Sequence, residues 1–129
     1  SFNIMRGMPE GKADYCIKGP FETISRAGRY GYTKDPCERD FNAAYYNAIL
    51  WIVTGKEPHA DKAMEIIRAY ASTLKKIEGP DDPLCAGLQG FMLVNAAEIM
   101  RYTYTADKYT NGWDAKDTPK VESMGNCGN

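Results

Sequence analysis

The stretch DFNAAYYNAILWIVTG, residues 40–55, decides the fold. Phe41, Ala44, Tyr45, Ala48 and Ile52 recur at three- and four-residue intervals, which lays them along one face of a helix beginning at Asp40. Gly55 stands where the C-terminal cap of that helix belongs. The apolar run from Ala43 to Val53 is broken by Asn47 and falls short of the ~20 residues that a bilayer crossing needs. No membrane span is expected.

Downstream, Pro58 suits the first turn of a second helix. HADKAMEIIRAYASTLKKI repeats the pattern with Ala60, Ala63, Met64, Ile67, Tyr70, Ala71 and Leu74, until Gly79 and Pro80 stop it. Two amphipathic helices joined so closely cover each other's apolar stripes as an antiparallel hairpin. A third helix is expected from Pro83 to Tyr104, with Leu84, Leu88, Phe91, Met92, Asn95 and Ile99 along one side. Gln89 and Asn95 lie among apolar neighbours there, and a buried amide needs an internal partner or a ligand. Past the polar turn TADKYTNGWDAKD, Thr118 and Pro119 read as a cap and a first-turn proline opening a fourth helix.

Upstream, residues 1–39 mix glycine, proline and charge with no sustained apolar period, which reads as extended loop and turn. The expectation is one all-α domain over 1–129, with helical hairpins from 40 onward. A hydrophobic content of 43% with 26% charged residues fits a folded globular chain rather than a disordered one. A formal net charge of -1 lacks the basic excess that phosphate backbones require, so nucleic acid is not an expected partner. The four cysteines are scattered without a CxxC pair, which supports no metal knuckle, and neither a metal nor another cofactor is expected. Cys16 and Cys37 leave two readings open, a disulfide formed in an oxidising compartment or a pair of free thiols.

Three segments in order, DFNAAYYNAILWIVTGKEPHADKAMEIIRAYASTLKKI, PLCAGLQGFMLVNAAEIMRY and GWDAKDTPKVESM, resemble the alginate lyase family of polysaccharide lyases over roughly residues 35–129. The resemblance rests on Asp40, the Thr54-Gly55-Lys56 turn, His59 to Ala63, Leu84 to Gly90, Ala96 to Glu98 and Arg101. It implies an incomplete (α/α) toroid, a ring of helical hairpins around a cleft, with this chain as its N-terminal part. Cys127-Gly128-Asn129 stands where relatives carry NGNW, with Cys127 in place of the first Asn. The resemblance also implies an acidic, uronate-containing polysaccharide as partner and a periplasmic or secreted location.

A lyase of this kind removes the proton beside a uronate carboxylate, so it must neutralise that carboxylate and place a base. In ISRAGRYGYTKD, Arg26, Arg29, Tyr30, Tyr32 and Lys34 interleave cations with aromatic rings, the residue types that grip a polyanionic glycan. They are the candidate substrate-binding residues, together with Gln89. Asn129, at the family-like GN position, is the candidate for carboxylate neutralisation. His59, at the start of the second helix, reads as a surface residue before a base, and Tyr45 and Tyr46 read as packing. Glu98 and Arg101 make a local ion pair at i,i+3 spacing, and Trp51 and Trp113 read as core before sugar platform. The alternative function is a non-catalytic helical module that binds acidic glycan or a protein partner. Adjacent carboxylates such as Asp81 and Asp82 lack the spacing of a hydrolase pair, and Gly28 and Gly31 form no nucleotide fingerprint.

Overall fold

The computed structural model describes residues 7–25, 34–73, 76–78 and 88–124, with the side chains of 23–25, 34, 76–78, 88–91 and 123–124 excepted. Four helices pack together: α1 (Lys34–Thr54), α2 (Glu57–Thr73), α3 (Leu88–Thr103) and α4 (Asp117–Met124). A 3-10 turn, Pro9–Gly11, precedes them. Two three-residue strands, β1 (Thr23–Ser25) and β2 (Lys76–Glu78), pair in parallel with Ile24 opposite Ile77. The described residues are mostly helical, as the periodicity predicts.

Helix α1 starts at Lys34 rather than Asp40. Pro36 lies in its first turn, where the missing N–H would have no helical partner anyway, and Cys37 extends the apolar stripe four residues before Phe41. Helix α2 ends at Thr73, short of the expected Gly79, because Lys76–Glu78 is extended and hydrogen-bonds to β1. Three-residue strands are too short for a period-2 signal, so the pattern could not separate them from loop or helix. The observed α3 opens at Leu88; the expected start at Pro83 lies outside the described residues.

The direction of each helix follows from its contacts. The Phe41 and Tyr70 rings meet edge to face at 4.9 Å, and Asn47 meets His59, so α1 and α2 run antiparallel. Gly55 makes this reversal with φ at 70°, a conformation that side chains disfavour, and its N–H donates to the Trp51 carbonyl at 2.8 Å. Trp51 Nε1 donates to Thr103 Oγ1 at 3.1 Å, which places the C-terminal ends of α1 and α3 together. Because α1 and α3 also share an extensive packed face, they run in the same direction. The order is up, down, up, with α1 between α2 and α3 and with α4 on the α2 side.

Helix α1 is therefore buried on two sides. Phe41, Ala44 and Ala48 face the core as expected, and so do Cys37, Ala43, Leu50 and Trp51, whereas Ile52 is half exposed. Along α3 the buried stripe is Leu93, Ala96, Ala97 and Met100, one residue round from the expected one; Met92, Asn95 and Ile99 sit at its edge. Neighbours on both flanks rotate the buried face away from the simplest one-sided assignment. Cys37 is buried and Cys16 exposed, and both thiols are free. The thiol reading holds over the disulfide.

The chain from α3 to α4 is fixed by a polar set centred on Arg68. Arg68 on α2 grips Asp117 through two bonds, Nε to Oδ1 at 3.0 Å and Nη2 to Oδ2 at 2.9 Å, and also donates to the carbonyls of Asn111 and Gly112. Asp117 Oδ2 accepts from the Asp114 N–H while Asp114 Oδ1 accepts from the Lys116 N–H, a reciprocal cap that starts α4 ahead of Thr118. The expected Thr118 cap is thus corrected. Thr118 Oγ1 accepts instead from Trp113 Nε1 at 3.0 Å.

Candidate functional site

Two polar residues interrupt the apolar face of α1, and both are fully buried: Asp40 and Asn47. An unmatched polar group there would cost about 1–3 kcal/mol, so each must find partners within the fold. Asp40 Oδ1 accepts from the Tyr15 hydroxyl at 2.7 Å and the Lys18 N–H at 2.9 Å. Its Oδ2 accepts from the Gly19 N–H at 2.9 Å and the Tyr70 hydroxyl at 2.5 Å. Four donors, three from residues 15–19 and one from α2, converge on one carboxylate. Gly19 permits this, since a Cβ there would stand 2.7 Å from the Tyr70 hydroxyl oxygen.

Asn47 Nδ2 donates to the carbonyls of Glu10, Lys12 and Ala43 at 3.1, 3.3 and 2.9 Å. Its Oδ1 lies 2.7 Å from His59 Nδ1, so that ring nitrogen carries the proton and donates. His59 therefore orients an amide rather than lying idle at the surface. Asn47 fixes residues 10–12 on α1, and Asp40 fixes residues 15–19. Among the described residues no buried side-chain polar atom lacks a partner.

Between these two fastenings lies an open cavity of about 320 Å³, lined by Glu10, Lys12, Asp14, Tyr15, Lys18 and Arg39 among others. Arg39 reaches it from α1, next to Asp40. The Lys18 ammonium stands 5.6 Å from the centre of the Tyr15 ring, a cation held over an aromatic face. Tyr15 and Tyr70 offer no proton acceptor at neutral pH. Burial, with the hydrogen bond to Asp40, pushes the Tyr15 hydroxyl far above the ordinary tyrosine range, and burial, with the neighbouring Cys37 and Asp40, does the same to Tyr70. Burial likewise pushes the Cys37 thiol up, so it is not a nucleophile.

None of the sequence-derived binding or catalytic residues has a described side chain. Arg26, Arg29, Tyr30, Tyr32 and Asn129 lie outside the described residues, as do the side chains of Lys34 and Gln89. Tyr45 and Tyr46 are half-buried, and Glu98 pairs with Arg101 at 3.8 Å. Trp51 and Trp113 are core residues, with Trp51 edge-on to Tyr104 and Tyr109. Sequence reasoning passed over the cavity because residues 9–18 lack any period. The available signal was Asp40 and Asn47, two hydrogen-bonding residues on a helical face that otherwise excludes water.

No protein-family model matches the chain, and no curated protein or solved structure matches it. Among the described residues no helix is long and apolar enough to cross a membrane, and no group of three His, Cys, Asp or Glu side chains could hold a metal ion.

Proposed function

We propose that the chain is the helical portion of an alginate-lyase-like polysaccharide lyase, acting on uronate-containing polysaccharide by β-elimination in a periplasmic or secreted setting. The observation that carries the reading is the alternation of the helices. With α1 and α3 running alike and α2 running against them, the chain has the arrangement that a ring of helical hairpins repeats. The motif residues support it: Thr54-Gly55-Lys56 makes the reversal between α1 and α2, and Ala96 and Ala97 are the small residues that pack α3 against its neighbours. In this reading Arg26, Arg29, Tyr30, Tyr32, Lys34 and Gln89 hold the glycan, and Asn129 neutralises the uronate carboxylate so that charge developing on it is stabilised.

A second reading is favoured by the cavity itself. It gathers cations and an aromatic ring, and its one phenol is locked as a donor to Asp40. A module that binds acidic glycan without cleaving it needs no more than that. Incubation with alginate, pectate and glucuronan separates the two. β-Elimination leaves a carbon–carbon double bond conjugated to the uronate carboxylate, which absorbs in the ultraviolet. Rising absorbance with one of these polymers supports the lyase; binding to them with no rise in absorbance supports the module.

A further inference from the structure

We propose that Asn111–Gly112 is a deamidation site held in check by the Arg68 clamp, converting to aspartate or isoaspartate when that clamp opens. Asn-Gly occurs once in the sequence, and Asn111 is exposed. Asparagine is thermally labile because the backbone nitrogen of the following residue can attack its side chain. Glycine in that following position resists the attack least, since it has no Cβ to stand in the way. Asn42, Asn47 and Asn95 are each followed by alanine and lie within helices.

The reaction consumes only water. The Gly112 nitrogen forms a bond to Asn111 Cγ, the Cγ–Nδ2 bond breaks, and Nδ2 departs as ammonia with the proton that the Gly112 nitrogen gave up. A cyclic succinimide remains. Water then adds to one of its two carbonyls and breaks the bond from that carbonyl to the Gly112 nitrogen. Opening at the backbone carbonyl leaves isoaspartate, whose chain runs on through Cβ and Cγ; opening at Cγ leaves aspartate.

The folded loop opposes the first step at the atoms that must move. The peptide unit between Asn111 and Gly112 is held on both sides, its carbonyl accepting from Arg68 Nη1 at 3.0 Å and its N–H donating to the Tyr109 carbonyl at 3.0 Å. The Gly112 carbonyl accepts from Arg68 Nη2 at 2.9 Å, so one guanidinium fixes the backbone before and after the attacking nitrogen. The amide under attack is held only weakly. Asn111 Nδ2 lies 3.5 Å from Asp61 Oδ1, an acceptor that the Tyr104 hydroxyl already uses.

Nor can the fold exchange Gly112 for a safer residue. A Cβ there would run into the Thr105 carbonyl and stand 2.7 Å from the Ala106 nitrogen. Packing thus imposes the labile pair, and the clamp keeps it intact. Isoaspartate lengthens the backbone by one methylene, which the contact of Gly112 with Thr105 leaves no room for, so the altered loop does not close again.

The test is peptide mapping by mass spectrometry of the whole chain, through a time course at one pH and temperature, with the same protein unfolded in guanidinium chloride as the unclamped reference. Conversion at Asn111 should be about tenfold slower in the folded parent than in the unfolded reference, and about tenfold faster in folded Arg68→Ala than in the parent, because a residue that reacts from an opened state follows the population of that state. Should circular dichroism show Arg68→Ala unfolded, Arg68→Lys carries the comparison, since it keeps a charge for Asp117 but loses the fork that spans two carbonyls. A folded parent that converts as fast as the unfolded reference would overturn the protection. An unchanged rate in the folded Arg68 variant would overturn the role of the clamp, and an Asn111 that stays intact in the unfolded reference would overturn the site itself.

Discussion

The irregular segments before and after the helical core are fastened to it by different chemistry. At the N-terminal end, Asp40 and Asn47 capture backbone and hydroxyl groups, and the cations of the captured segment point outward. On the C-terminal side, Arg68 and Asp117 neutralise each other, and two of the other guanidinium hydrogens go to backbone carbonyls. Both arrangements hold an irregular segment against a helix. Among the described residues, the first leaves the cations of the captured segment without a carboxylate partner, whereas the second engages its cation in an ion pair.

Asp40→Ala probes the larger of these fastenings. It strands two hydroxyls and two N–H groups in the interior, and urea unfolding should register a loss of about 3–5 kcal/mol. A loss below about 1 kcal/mol would mean the cage is incidental. Gly19→Ala attacks the same cage sterically, since the new methyl would meet the Tyr70 hydroxyl and the Phe21 backbone nitrogen. The expected cost is about 1–3 kcal/mol. A neutral result would show that the 15–19 segment can move off α1.

Arg68→Ala tests the other end and should cost about 2 kcal/mol, since it strands the nearly buried Asp117. A double-mutant cycle with Asp117→Ala should return positive coupling; additive losses would contradict the clamp. The pH dependence sharpens this. Burial raises the Asp117 pKa, but the Arg68 hydrogen bond and the Asp114 N–H outweigh it and hold the carboxyl below its ordinary 3.8. A depressed folded pKa contributes stability that is present above the unfolded value and is lost as pH falls through the folded one. Stability should therefore decline below about pH 4, and Asp117→Asn should flatten that decline. At the other extreme, Tyr15 and Tyr70 are raised above their ordinary 10, so stability should fall as pH climbs past 10. The smallest effect belongs to the exposed Lys18, where Lys18→Ala should change unfolding by no more than about 0.5 kcal/mol.

The helical core was legible because its signals are periodic and local. Phe41, Ala44 and Ala48, the αL glycine at 55 and the Ala60 to Tyr70 stripe each follow from spacing alone. The two-sided burial of α1 was not, since which flank of a helix is covered depends on partners far along the chain. The same holds for the cavity. Its walls are set by contacts between residues 21–37 positions apart, such as Gly19 with Asp40 and Glu10 with Asn47, and no local pattern encodes such pairings. The β1–β2 pair, which joins residues on either side of the α1–α2 hairpin, escaped for that reason too.

The most direct test of the fastened N-terminal wall is native-state hydrogen exchange at the Lys18 and Gly19 amides. Both donate to Asp40, so they should exchange nearly as slowly as amides in the middle of α1 and lose that protection in Asp40→Asn. Exchange at the rate of an open loop in the parent protein would contradict the cage, and with it the claim that Asp40 holds residues 15–19 on α1.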